Sequence, residues 1–144
     1  MKIRKSTKRD LKSIAKIFRI ESAKPPYNKQ RTPKKALERI KDYFKRQDIY
    51  VAIVNNKIVG FVNSDMDPDT KNQAWINEFW ILKDYQGKGI GKRFMTEIED
   101  IYKKKGAKIF KLVANTRKGG AQGFYKKLNY KIDNSMVFME KRLK

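Results

Sequence analysis

Apolar residues recur along this chain in two periods, and the switches between them lay out its elements. Near the start, Ile3–Arg4 reads as a short strand, and Ser6-Thr7-Lys8-Arg9-Asp10 leads into a helix. From Leu11 the apolar positions Leu11, Ile14, Ala15, Ile17 and Phe18 fall three or four apart, which predicts one face of a helix running to about Glu21. Pro25-Pro26 excludes helix and makes a loop. Thr32-Pro33 then supplies an N-cap with proline in the first turn of a second helix. That helix directs Ala36, Leu37, Ile40, Tyr43 and Phe44 to one side and fades near Gln47.

Strand patterning follows. Ile49–Val54 and Ile58–Asn63 are β-rich runs joined by the turn Asn55-Asn56-Lys57, a predicted hairpin. Ser64–Asn72, with Asp67-Pro68-Asp69, reads as a loop, and Ala74–Leu82 as a central strand. Gly91–Lys105 carries Phe94, Met95, Ile98, Ile101 and Tyr102 at helical spacing, with Gly106 as a left-handed stop. Lys108–Ala114 alternates as a strand, and Ala121–Leu128 suits a fourth, shorter helix. Tyr130–Ile132 and Met136–Glu140 predict a closing pair of strands.

Length and composition narrow what such a chain can do. Its 144 residues predict a single domain, and 40% apolar with 12% aromatic residues is enough to build a core without disulfides or a metal. The absence of cysteine excludes disulfides, thiolate catalysis and cysteine-ligated metals. The absence of histidine removes the commonest general base and leaves proton transfer to carboxylates, tyrosine, lysine or water. Met1–Asp10 is lysine-rich with no apolar run of signal or membrane-helix length, so a soluble, cytoplasmic protein with no membrane contact is expected. A formal charge of +21 favours polyanions, which admits nucleic acid, an acidic protein or a phosphorylated cofactor as partner.

The chemistry concentrates in Trp75-Ile76-Asn77-Glu78-Phe79-Trp80-Ile81-Leu82-Lys83-Asp84-Tyr85-Gln86-Gly87-Lys88-Gly89-Ile90-Gly91-Lys92. A strand, a glycine-rich turn and an amphipathic helix together aim free backbone amides and the positive helix end at an anion, so this stretch is a candidate phosphate site. Glycines at 87, 89 and 91 predict close backbone approach to the ligand. The run has neither the GxGxxG of dinucleotide folds nor the GKS or GKT end of a P-loop. Glu78 is the candidate base. Strand alternation puts it on the same face as Ile76 and Trp80, and burial there raises a carboxyl pKa.

Gln86, Gly89 and Gly91 resemble the pyrophosphate-binding signature of the GNAT N-acetyltransferases: Gln or Arg, two residues, Gly, one residue, then Gly or Ala. Phe124-Tyr125-Lys126-Lys127-Leu128-Asn129-Tyr130 is similar to a second family motif, Tyr, three residues, Gly, then Phe or Tyr, with Asn129 at the glycine position. The element order also matches the family nearly end to end.

The resemblance implies an α/β (α+β) fold, a mixed and mostly antiparallel sheet of six to seven strands flanked by four helices over residues 1–144. It implies acetyl-coenzyme A as cosubstrate, no metal, and an amine acceptor such as a protein N-terminus, a lysine or a small amine. Phe79, Trp80 and Ile81 would pair through their backbone with the pantetheine arm. Gln86, Gly87, Lys88, Gly89, Ile90, Gly91 and Lys92 would hold the pyrophosphate, and Tyr125 would sit beside the sulfur as general acid. An asparagine seven residues before the tyrosine is common in the family; that count falls here on Lys118, with Asn115 three residues early. Relatives often carry glutamate at the place of Glu78, though water or a backbone carbonyl serves as base in some. The alternative is a basic nucleic-acid-associated or non-catalytic coenzyme-binding protein of the same fold. Its contact surface would be Lys34, Lys35, Arg39, Lys41, Lys45 and Arg46. Either a monomer or a homodimer fits.

Overall fold

The structure, a computed structural model, describes residues 1–143. Strand β1 (Lys2–Lys5) leads into a 3-10 turn that Asp10 ties down. Its carboxylate accepts from the Thr7 amide at 2.7 Å and from both terminal nitrogens of Arg4 at 2.7 and 3.0 Å. Helix α1 (Leu11–Ser22) follows directly, and α2 (Pro33–Arg46) starts under the expected cap, with Thr32 Oγ1 accepting from the Lys35 amide. Next come β2 (Asp48–Val54), β3 (Lys57–Met66), β4 (Gln73–Ile81), α3 (Ile90–Lys104), β5 (Ile109–Leu112) and α4 (Gln122–Lys127).

The five strands lie in the order β1-β2-β3-β4-β5, antiparallel except for the parallel β4–β5 pair. The expected mixed, mostly antiparallel sheet with four helices is therefore present, but with five strands rather than six to seven. Tyr130–Ile132 and Met136–Glu140 form no strands: after the Tyr130 amide closes onto the Tyr125 carbonyl, the chain pairs with no edge among the described residues. A strand needs a ladder partner as well as apolar residues, and Met136 to Met139 are 77–92% exposed.

A second correction concerns β3, which runs three residues past Asn63 into the predicted Ser64–Asn72 loop. Ser64, Asp65 and Met66 pair with Ile76, Trp75 and Ala74. Asp67 then closes the end: its carboxylate accepts from Trp75 Nε1 at 2.8 Å, Gln73 Nε2 at 3.2 Å and the Asp69 amide at 2.8 Å.

Each face of the sheet has its own core. Helices α1 and α2 pack Ile14, Phe18 and Ile40 on Ile49, Val51 and Phe61. Helices α3 and α4 pack Phe94, Ile98, Tyr102 and Tyr125 on Ala52, Val62, Ala74 and Ile76. Gly106 (φ 98°) and Asn129 (φ 68°) end α3 and α4 in the left-handed conformation, as their residue types predict.

Candidate active site

Strand β4 has two unlike halves. Ala74 to Ile76 are paired on both sides, with Ser64–Met66 on one and Phe110 to Leu112 on the other, while Gln73 pairs with Ile109. From Asn77 to Ile81 the β3 ladder continues but β5 has diverged, so one backbone edge of Glu78–Ile81 is unpaired. A β-bulge sits at the junction: Ser64 pairs with Ile76 and Asn63 with Glu78, leaving Asn77 without an opposite residue.

The bulge overturns the alternation reading of Glu78. Ile76 packs in the α3–α4 core, and beyond the extra residue it is Phe79 that rejoins that face. Glu78 and Trp80 face α1 and α2 instead; Trp80 packs on the core around Phe18. Two consecutive polar residues, Asn77 and Glu78, in an otherwise apolar strand were the available signal of this phase shift.

Glu78 is held on both oxygens. Trp80 Nε1 donates to one at 2.6 Å and the Tyr43 hydroxyl to the other at 3.2 Å; Arg39 Nε donates to the Tyr43 oxygen at 3.2 Å. Burial pushes the Glu78 carboxyl above its ordinary value, and the bonds from Trp80 and Tyr43, with the charges of Arg31 and Arg39, oppose that rise. Tyr43, read from the sequence only as part of an apolar helix face, is thus the carboxylate's second donor. Tyr27 meets the Trp80 ring edge-on at 4.8 Å, so the loop between α1 and α2 forms part of the same wall.

Tyr125 lies on α4 with 8% of its surface exposed, its ring 5.1 Å from Phe124 and 5.5 Å from Tyr130. Burial pushes its phenol far above the ordinary value, with Tyr130, Tyr27 and the Glu78 charge adding to the effect. The hydroxyl is therefore protonated at neutral pH. No hydrogen bond reaches it among the described residues.

The glycine turn follows β4. Gln86 Nε2 donates to the Ile81 carbonyl at 2.8 Å, which ties the turn to the strand end. Gly89 (φ 81°) is the N-cap of α3, a left-handed conformation that side chains adopt at a cost, and nothing lies within 4 Å of where its Cβ would be. Among the described residues no protein acceptor meets the amides of Gly87 to Lys92. The ammonium groups of Lys88 and Lys57 each stand 5.8 Å from the Tyr85 ring, so Lys57 adds a cation that the motif did not include.

Gly91 differs from its expected use. Its Cβ would meet the Phe124 ring at 3.1 Å and Ile81 Cδ1 at 3.3 Å, so its smallness lets α3 pack on α4 rather than letting a ligand approach. Phe124 in turn stacks on Phe79 at 5.7 Å. Lys118 is exposed in the loop before α4, and Asn115 spends its side-chain oxygen on the Arg117 amide at 2.7 Å. Glu78, Trp80 and the glycine turn thus lie on or directly after the free half of β4, Tyr125 lies near enough to feel the Glu78 charge, and Lys118 has no described contact there.

The sequence profile of the acetyltransferase (GNAT) family matches residues 14–130, and the chain belongs to that family. An uncharacterized N-acetyltransferase of Methanocaldococcus jannaschii is 33% identical over 85 residues, covering 56% of this chain and 38% of the relative; the chain spans less than half the length of the first curated relatives it matches. Among solved structures, a possible acetyltransferase from Clostridium difficile superposes with a TM-score of 0.81 at 23% identity, covering 99% of this chain and 98% of the other. An aminoglycoside N-acetyltransferase solved with coenzyme A gives 0.75 at 14% identity, covering 99% and 95%. No helix among the described residues is long and apolar enough to cross a membrane.

Proposed function

We propose that this chain transfers an acetyl group from acetyl-coenzyme A directly to a primary amine in a ternary complex. The reading rests most on one juxtaposition: the unpaired edge of Glu78–Ile81 runs straight into a turn whose amides have no protein acceptor. The edge suits an amide-bearing arm, and the turn suits a pyrophosphate. The neighbour solved with coenzyme A shares this fold, which supports the same cosubstrate here.

In this reading Phe79, Trp80 and Ile81 pair with the pantetheine arm, and Gln86 to Lys92, with Lys88 and Lys92 as cations, bind the pyrophosphate. Lys118 approaches the coenzyme only if its loop closes. The acceptor nitrogen attacks the thioester carbonyl, and a free amide of the β4 edge stabilises the oxyanion. Glu78, its pKa raised by burial, takes the proton from nitrogen directly or through water. The carbon–sulfur bond breaks as Tyr125 gives its proton to the departing sulfur, and solvent restores it.

The test is thermal. At about a hundred times its dissociation constant acetyl-coenzyme A should stabilise the protein by roughly 2.7 kcal/mol. Gly89→Val should lose that increment, whatever its own melting temperature, because a branched side chain resists the left-handed conformation that presents the amides. No increment in the parent protein rejects the coenzyme; an undiminished increment in Gly89→Val rejects the turn as its site.

A further inference from the structure

On the exposed face of α2, next to Arg31, is an open depression of about 510 Å³ lined by Arg31, Lys35, Glu38, Arg39 and Asp42, and linked to Glu78 by the hydrogen bonds of Arg39 and Tyr43. Every lining residue is charged, so its ligand must be polar. The charges do not cancel. Asp42 is engaged by Arg46, whereas Arg31, Lys35 and Arg39 make no ion pair within 4 Å among the described residues; these three cations face Glu38 in the lining and Glu78 beyond it, whose charge Arg31 and Arg39 already feel.

Two of these cations are oriented. Arg31 donates to Ser22 Oγ at 2.7 Å and lies 4.2 Å from the Phe18 ring centroid. Arg39 spends only its Nε on Tyr43 and lies 5.1 Å from that ring, so its terminal nitrogens remain available. A planar guanidinium with spare donors matches a carboxylate or a phosphate. Arg39 also stands only two hydrogen bonds from Glu78, through the Tyr43 hydroxyl. The wall of the site is therefore dipolar: a carboxylate at one end and three cations a short distance away.

Building on the acetyl-transfer reading of this same site, we propose that the acceptor is a small primary amine that also carries a carboxylate or phosphate group. Its amine lies at Glu78 and its anion at Arg31, Lys35 and Arg39. A polycationic acceptor would bring further ammonium groups against those three side chains, a repulsion that a dipolar acceptor turns into attraction.

Matched acceptors test this. Coenzyme A thiol release is measured at saturating acetyl-coenzyme A with β-alanine against β-alaninamide, and with phosphoethanolamine against ethanolamine. Rates are referred to the fraction of neutral amine. The anionic member of at least one pair should be preferred in kcat/KM by roughly tenfold or more, the scale of a charge-assisted hydrogen bond, and the pair that shows it identifies the anion. Arg31→Gln and Arg39→Gln should cut that preference by raising KM for the anionic member. A merely structural role would lower both members alike. Equal or reversed preference, no turnover of either anionic amine, or equal losses in the arginine variants would each overturn the proposal. Stabilisation by acetyl-coenzyme A is read separately: an increment without anionic preference sinks the acceptor assignment alone, and no increment sinks the coenzyme as well.

Discussion

The two halves of β4 are neighbours in one strand, yet they answer to different constraints. Ala74 to Ile76 have partners on both edges, and Ala74 and Ile76 are almost wholly buried, so that half is fixed by packing. Asn77 to Ile81 keep one edge free, and Glu78 lies among hydrogen-bond donors rather than apolar atoms. A single unpaired residue, Asn77, separates the halves. The contrast teaches that a carboxylate can be aimed by register: the bulge moves Glu78 from the face of Ile76 to the face of Tyr43.

Inserting one residue into β3 between Asn63 and Ser64, so that Asn77 gains an opposite residue, should break this arrangement with the largest effect. Regular alternation would then carry Glu78 into the α3–α4 core beside Phe94 and turn Phe79 toward α2. An unpaired carboxylate among apolar side chains is expected to cost about 4 kcal/mol or more in chemical denaturation. An insertion variant as stable as the parent would show that the bulge does not govern which face Glu78 takes.

A pair of substitutions sharpens the same contrast. Ile76→Ala, in the closed half, should lower stability by about 2–4 kcal/mol through the cavity it leaves. Glu78→Gln, two residues on, should change stability by no more than about 1 kcal/mol but lower kcat by roughly 10²-fold, the scale of general base catalysis. Unfolding and steady-state turnover measured on both variants decide it. Equal stability losses, or undiminished turnover in Glu78→Gln, would dissolve the division into a structural and a chemical half.

The smallest effect is a displacement along the pH axis. As the proposed base, Glu78 would work ionised, so kcat/KM should fall on the acid side as pH drops through its raised pKa. The Tyr43 hydroxyl stabilises the carboxylate and holds that pKa down, so Tyr43→Phe should move the acidic limb to higher pH. A limb that stays in place would take Glu78, or its bond to Tyr43, out of the proton path.

Much of the fold was legible in the sequence because its signals are local. The Thr32-Pro33 cap, the 3.6-residue spacing of α1 to α3, the Gly106 stop and the left-handed Asn129 each depend on a few adjacent residues. What was missed depends on distant partners. The polar Ser64 and Asp65 join a strand because β4 lies alongside them, and the apolar Met136 to Met139 form none because no edge meets them. The glycine turn could be located as a strand, turn and helix, and Tyr125 was singled out only by its likeness to a family motif. The bulge that aims Glu78, and the chain from Arg39 through Tyr43, could not, since the first arises from the register of β3 on β4 and the second joins residues 35 apart in sequence.

The contact between Gly91 and Phe124 bears on how this protein can change. One side of that contact belongs to the phosphate turn; the other stacks on Phe79 and adjoins Tyr125. A methyl group added at 91 needs the ring at 124 to yield by a few tenths of an ångström, or to be replaced by something smaller. The two positions are therefore epistatic: a larger residue at 91 and a smaller one at 124 must arrive together, and either alone disturbs how the glycine turn is held against α4.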